Sequence, residues 1–327
     1  MVTKPFPILF ITATDIPGAI ASSGLIKRLI DEVPGARFTI VAGPATAPLF
    51  EEAPELEEII VVGDHESRLR RFALWRWLRR RRWGLIVDTR GSGLSGMLKR
   101  QKRAVHQPRP GEAVHRVVEA ARLLGIEDDP PAPSLFTSAE TEAEAQALVP
   151  VKGGPILAIG PGAQWIGRAW PVERFAQVAA RLLGPGGRMA GGRLVVVGPS
   201  GGGDPLEATR FSITRPYLAS RPGTLGLLGD VALLKRARLF IGNDGPWMHL
   251  AAVAGAPTLG LFGPSDERVS RPWGPKARVV RGHRSFEDFQ ALDPNLNQAI
   301  GHMMDLSIET VLAAAVDLLD STEPRNG

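Results

Sequence analysis

The chain has 327 residues, 44% hydrophobic and 22% charged, a composition typical of a soluble globular protein with room for two domains. It contains no cysteine, which excludes disulfides, thiolate metal sites and cysteine nucleophiles and fits a cytoplasmic enzyme. A net charge of +5 and a sequence pI near 9.9 leave three kinds of anionic partner open: nucleic acid, an anionic membrane surface or phosphorylated substrates.

In chain order, the opening "MVTKPFPILFITATDIPGA" has too short an apolar run for a signal peptide and is read as a first core strand. A helix is expected over "SSGLIKRLIDEVPG", where Leu25, Ile26, Leu29 and Ile30 recur at helical spacing before a Pro-Gly stop. Further strands are predicted at "RFTIVAG", "EEIIVVG", "GLIVDTRG" and "RAVHQ". Between "EEIIVVG" and "GLIVDTRG", "RLRRFALWRWLRRRRWG" (residues 68–84) sets eight arginines around Phe72, Trp75, Trp77 and Trp83. Two readings stand: a solvated helix whose arginine stems cover a few aromatics, or a patch that binds an anionic membrane surface. Nucleic acid is not expected, because no recognition motif accompanies the patch.

A Pro-rich and then acidic stretch closes the first half, with a short helix expected around 139–148 and a linker near Val151–Pro155. The pattern then restarts. Strands are predicted at "PILAIG", "RLVVVG", "RLFIGND", "PTLGLFG" and "ARVVRG", and helices at "PVERFAQVAARLL", "DVALLKRARL" and "SIETVLAAAVDLL". Strand–helix alternation of this kind specifies an α/β fold with parallel sheets. The expected organisation is two Rossmann-like domains, 1–152 and 153–327, whose sheets face a central cleft; the last helix is free to pack back on the first domain.

Ligands of such sheets bind at strand-to-helix turns. The first candidate turn, "ITATDIPGAIASSG", carries Asp15, Pro17, Gly18, Ser22 and Ser23. The second, "IGPGAQWIGRAWP", offers Gly160, Gly162, Gln164 and Arg168. The third, "VVVGPSGGGDP", is glycine-rich but does not fit G-x-G-x-x-G in a strand–turn–helix frame. The fourth, "LFIGNDGPWMHLAAVAGAP", runs from a strand through Asp244, Gly245 and Pro246 into a helix bearing Trp247 and His249. Main-chain amides at a helix start carry the positive end of the helix dipole and suit a diphosphate. Asp244 could cap that helix, orient His249 or meet a ligand hydroxyl; alternatively, Asp244 is only a cap and His249 a core histidine. His65, His106, His115, His283 and His302 are scattered and read as ordinary surface or core residues. With no Asp-x-Asp motif and no cluster at ligand spacing, a catalytic metal is not expected.

The run "NDGPWMHLAAVAGAPTLGLFGPSD" resembles the heptosyltransferase family, glycosyltransferase family 9. It holds Asp244, His249, Leu250, Ala251, Ala252, Gly255, Pro257, Leu261, Phe262, Gly263 and Pro264 at the family's spacing. "ILFITATDIPGAIASSGLIKRLIDEVPGARFTIVAG", "WGLIVDTRGSGLSG" and "GPGAQWIGRAWPVERFAQVA" follow the same family in order, so the resemblance covers most of the chain. It implies a GT-B fold and an inverting transfer of heptose from ADP-heptose to a lipid-linked oligosaccharide of the lipopolysaccharide core. The ADP-sugar would be a substrate, with no cofactor, and the protein would work in the cytoplasm or on the inner face of the inner membrane. The resemblance implies donor diphosphate binding by Gly162, Gln164, Arg168, Asp244, Gly245, Pro246, Trp247 and His249. Gly18 and Ser22 would lie on the acceptor side.

Three departures stand out. The family's hydroxyl residues ahead of its basic residue fall on Ala163 and Gln164, and its Thr/Ser after Asp falls on Gly245. The family's Gly-Asp at the first turn, which supplies the general base, falls on Pro17-Gly18. Asp15 is the nearby carboxylate and is the candidate base; it could equally be a turn former. The alternative function is a sugar-nucleotide-binding member that lost its catalytic Asp or changed its specificity. An NAD-dependent oxidoreductase is disfavoured by the missing fingerprint.

Overall fold

The computed structural model describes residues 4–63, 67–107, 109, 111–150, 152–199, 217–220, 223–294 and 300–323. The chain divides into two compact units, Met1–Thr137 and Ser138–Gly327. The expected boundary at 152/153 lies beyond the acidic helix 139–148, which packs within the second unit.

The first unit is a five-stranded sheet: β1 (Phe6–Ile11), β2 (Ala36–Ala42), β3 (Leu56–Val61), β4 (Trp83–Asp88) and β5 (Arg100–Val105). Its order is β3-β2-β1-β4-β5, and every pairing is parallel. The connecting helices are α1 (Ile16–Glu32), α2 (Arg68–Leu78), α3 (Gly93–Gly96) and α4 (Arg116–Ala121). α1 begins six residues ahead of the expected helix, because Asp15 caps it and Pro17 occupies its first turn. β5 is an edge strand that starts earlier than expected. Its exposed Gln101, Lys102 and Arg103 suit an edge that must not pair further.

The second unit has α5 (Ala139–Leu148), β6 (Ile156–Gly160), α6 (Val172–Leu183), β7 (Arg193–Val196), β8 (Leu218–Ser220), α7 (Leu227–Leu234), β9 (Leu239–Asn243), α8 (Pro246–Val253), β10 (Thr258–Phe262), α9 (Glu267–Ser270), β11 (Ala277–Arg281), α10 (Phe286–Leu292) and α11 (Ile308–Ser321). Among the described residues its six strands run β11-β10-β9-β6-β7-β8, again parallel. All residues of β6, β9 and β10 are buried, as expected of strands covered on both faces. α6 turns Phe175, Ala176, Val178, Ala179, Leu182 and Leu183 onto the sheet. α11 adds Val311, Ala315, Leu318 and Leu319 to the same core, so the last helix packs on its own unit's sheet and on α6. The glycine-rich turn after β7 falls largely on 200–216, outside the described residues.

In each sheet the order reverses once, between β1 and β4 and between β6 and β9. Ligands of doubly wound sheets bind outside the carboxyl ends of strands at such a point. The second reversal is unusually close-packed: Gly160 pairs with Gly242. A Cβ on Gly160 would meet the Phe240 ring at 2.7 Å, and one on Gly242 would lie 2.8 Å from the Gly160 carbonyl oxygen. Glycine is required at both.

Candidate functional site

The turns after β6 and β9 meet at the second reversal. Asn243, the last residue of β9, joins them: its Nδ2 donates to Pro161 O at 2.7 Å, and its Oδ1 accepts from Trp170 N at 3.1 Å. Both ends of the segment carrying Gly162, Gln164 and Arg168 are therefore held by one buried carboxamide. Trp170 is itself anchored through an indole bond to Leu306 O at 2.9 Å and edge-on packing against Phe175. Within the segment, Ile166–Arg168 form a 3-10 turn with the Trp165 ring lying over Gly167, where a Cβ would come within 2.4 Å of it. Trp165 also stacks at a tilt on His302.

This scaffold places Arg168 Nη1 3.5 Å from Asp244 Oδ2. Asp244 is buried while about a third of the Arg168 side chain is exposed, so the arginine is the member that can reach a ligand. Arg168 Nε is buried and lacks a hydrogen-bond partner among the described residues. The cap of α8 is Gly245, with no side-chain hydrogen bond to the helix start. Asp244 lies one residue ahead of that cap position: its amide donates to Leu261 O at 3.1 Å, and its carboxylate faces Arg168. His249 is buried one turn into α8. Gly162 is half-buried and Gln164 exposed. Trp247 donates its indole N–H to Asp230 Oδ2 at 3.0 Å. Asp230 is buried on α7, and that burial pushes its carboxyl up to about 7, against the smaller opposing effect of the Trp247 bond.

In the first unit, Asp15 caps α1: Oδ1 accepts from Gly18 N at 2.9 Å and from Arg116 Nη1 at 3.3 Å. The turn-forming role is real, and the side chain stays half exposed. A Cβ on Gly18 would lie 2.9 Å from Asp15 Oδ2. Ser22 is buried, with its Oγ directed back to the carbonyls of Gly18 and Ala19 at 3.2 Å.

The remaining histidines have local structural partners. His115 Nδ1 accepts from Val117 N at the start of α4, His106 faces Glu119, His283 faces Asp305, and His302 lies between Trp165 and Phe289. His65 lies outside the described residues. Among the described residues no group of three or more His, Asp or Glu is placed to hold a metal ion.

Sequence reasoning missed Asn243 and Asp230. The partners of Asn243 lie 73 and 82 residues away, and Asp230 sits in an otherwise apolar helix. The clue to Asp230 was a lone acid within "LLGDVALL".

A model of glycosyltransferase family 9 (heptosyltransferase) matches residues 73–298. The chain belongs to this family. Among curated relatives, the Salmonella typhimurium lipopolysaccharide heptosyltransferase 2 is 28% identical over 131 residues, 39% of this chain and 36% of that protein. The match thus spans little more than a third of the relative's length. Among solved structures, the Escherichia coli ADP-heptose lipopolysaccharide heptosyltransferase II gives a TM-score of 0.75 at 20% identity, covering 98% of this chain and all (100%) of that one. The Escherichia coli heptosyltransferase WaaC with ADP gives 0.70 at 15% identity, covering 96% of this chain and 100% of that one. These likenesses establish the fold of the family 9 chain as the α/β, two-sheet GT-B type anticipated from its sequence.

Proposed function

We propose that the chain is an inverting glycosyltransferase that moves a heptose or related sugar from an ADP-sugar to a lipopolysaccharide core acceptor. The observation that carries this reading is the Arg168–Asp244 pair beside the α8 start, whose cap position is a glycine. A departing diphosphate carries negative charge away from the sugar, and amide dipoles and fixed cations stabilise it best when already in place. The α8 amides, Arg168 and His249 take that role; Asp244 holds the arginine, Gly162 and Gln164 line the approach, and Gly245, Pro246 and Trp247 shape the turn.

Asp15 is assigned as base. Both of its hydrogen bonds among the described residues fall on Oδ1, so Oδ2 is the oxygen to take the proton from the acceptor hydroxyl. The acceptor oxygen then bonds to the anomeric carbon from the face opposite the phosphate as that carbon–oxygen bond breaks, and ADP leaves. Gly18 lies beside the base on the acceptor side; Ser22 supports that turn from within α1. The nucleotide sugar is consumed as a substrate, and no cofactor is called for.

The acceptor is lipid-linked, so this reading has the protein act at the inner face of the inner membrane, touching anionic lipid through residues 68–84. Among the described residues, no helix is long and apolar enough to cross a membrane.

Calorimetric titration with ADP, UDP and NAD, followed by turnover with ADP-heptose, tests the proposal. ADP should bind tightest, and Arg168→Ala should weaken it about tenfold or more. Equal binding of all three nucleotides would overturn the donor assignment. Asp15→Ala should abolish turnover with ADP binding nearly intact.

A second reading has a specific observation in its favour. Gly18 stands where the family resemblance places the base, and Asp15 is engaged as a helix cap. A non-catalytic nucleotide-sugar-binding member, or one of altered specificity, would bind ADP yet show no transfer to the core acceptor.

A further inference from the structure

Asp230 is the acid of an otherwise apolar helix, α7, and it is buried. α7 packs against α5 and α8. Among the described residues its carboxyl accepts one hydrogen bond, at Oδ2 from the Trp247 indole at 3.0 Å. Trp247 is the second residue of α8, directly after Pro246, and its Cβ lies 3.2 Å from where a Cβ on Gly160 would sit. The side chain is therefore wedged between the end of β6 and α7, while its main chain belongs to the turn that starts α8.

Among the described residues no cation answers this carboxyl. The acids of α5 are Glu140, Glu142 and Glu144. Lys235, at the end of α7, binds Glu142 at 2.6 Å, and Arg236 spends its guanidinium on Ala145 O and Val149 O at 3.0 and 2.5 Å. His249 is the titratable residue of α8. None of these groups moves Asp230, which burial pushes up to about 7 while the indole bond opposes more weakly. A carboxyl is a costly acceptor for an indole in such a place: an amide oxygen accepts as well and never ionises. What the carboxyl adds is a second charge state beside the α8 start.

We infer that Asp230 is a positioning residue: in its neutral form it holds the Trp247 indole, and through it the first turn of α8, ready for the donor diphosphate. The amides of that turn present the positive end of the helix dipole. An ionised Asp230 would draw on the same positive end and repel the incoming diphosphate. Donor binding is then coupled to uptake of a proton. Affinity is highest below about pH 6, falls as pH rises through about 7 and settles at a lower level. The inference rests on the donor reading of this turn.

The probe is ADP-ribose, whose diphosphate is esterified at both ends and keeps its charge between about pH 6 and 8.5. Calorimetric titration of the full chain across that range reads affinity, and repeating it in two buffers of different ionisation heat reads proton uptake. The unaltered chain should bind about threefold or more tighter at the acid end than at the alkaline end. Asp230→Ala strands the indole and should weaken binding at the acid end by about threefold or more. Asp230→Asn keeps an acceptor oxygen and cannot ionise, so it should restore that affinity, take up fewer protons and lose less at the alkaline end. His249 is common to all three proteins, so the difference between profiles isolates Asp230. Parallel profiles and equal proton uptake in the unaltered chain and Asp230→Asn overturn the inference, as does an Asp230→Ala loss that Asp230→Asn fails to restore. Absence of ADP-ribose binding in all three proteins overturns the donor reading, and the inference with it.

Discussion

The Trp247 indole nitrogen donates to Asp230 Oδ2 at 3.0 Å, coupling a buried carboxyl on α7 to the first turn of α8. Burial raises that carboxyl to about 7, so the folded chain keeps a proton that the unfolded chain releases near its ordinary value of 3.8. Stability from this group is therefore fully present below the lower value and is lost as pH climbs toward the upper one. The loss has an upper bound of about 4 kcal/mol. Thermal unfolding at about pH 5 and about pH 8 should show the native chain losing stability relative to Asp230→Asn. Parallel behaviour of the two proteins would rule out a proton held at Asp230.

Asn243 holds two buried backbone groups, Pro161 O and Trp170 N. Asn243→Ala strands both, at about 1–3 kcal/mol each. Because the bridged segment carries Arg168, ADP affinity should fall along with the denaturant midpoint. If the midpoint drops while ADP binding is unchanged, the bridge is structural and does not position Arg168.

Gly245 has φ −178° and ψ −177°, extended backbone open to any residue. A Cβ there would sit 3.7 Å from Gly162 O and 3.8 Å from Asn243 O, ordinary contacts. Gly245→Thr should fold normally and restore the hydroxyl that the family resemblance places at this position. One added hydrogen bond to the nucleotide predicts a gain of about two- to tenfold in ADP affinity, read by calorimetry. A weaker complex would show that the ligand approaches from elsewhere.

The strands were legible because parallel sheets bury both faces, so β1, β6, β9 and β10 appear in the sequence as unbroken apolar runs. β8 was not: it is a three-residue edge strand with no room for a pattern. Asp15, Pro17 and Gly18 look like turn residues, which hides the first turn of α1; here they form the helix start. At the turn after β9, the local motif points to Asp244 and His249. Their supports were hidden, since Asn243, Trp170 and Asp230 act through contacts across the fold that no short window contains.

The crowding at Asp15 and Gly18 constrains how this turn can change. A side chain at residue 18 would begin 2.9 Å from Asp15 Oδ2 and 2.8 Å from Ala13 Cβ. Carboxylates at both positions would compete for the same space and repel each other. On the proposed reading of Asp15 as base, moving the acid to residue 18, where the family resemblance places it, needs room at both Asp15 and Ala13. In a library randomised at positions 13, 15 and 18 and selected for transfer, Asp at position 18 should emerge only together with a small residue at position 15 and glycine at position 13, and sequencing the survivors would reveal that linkage.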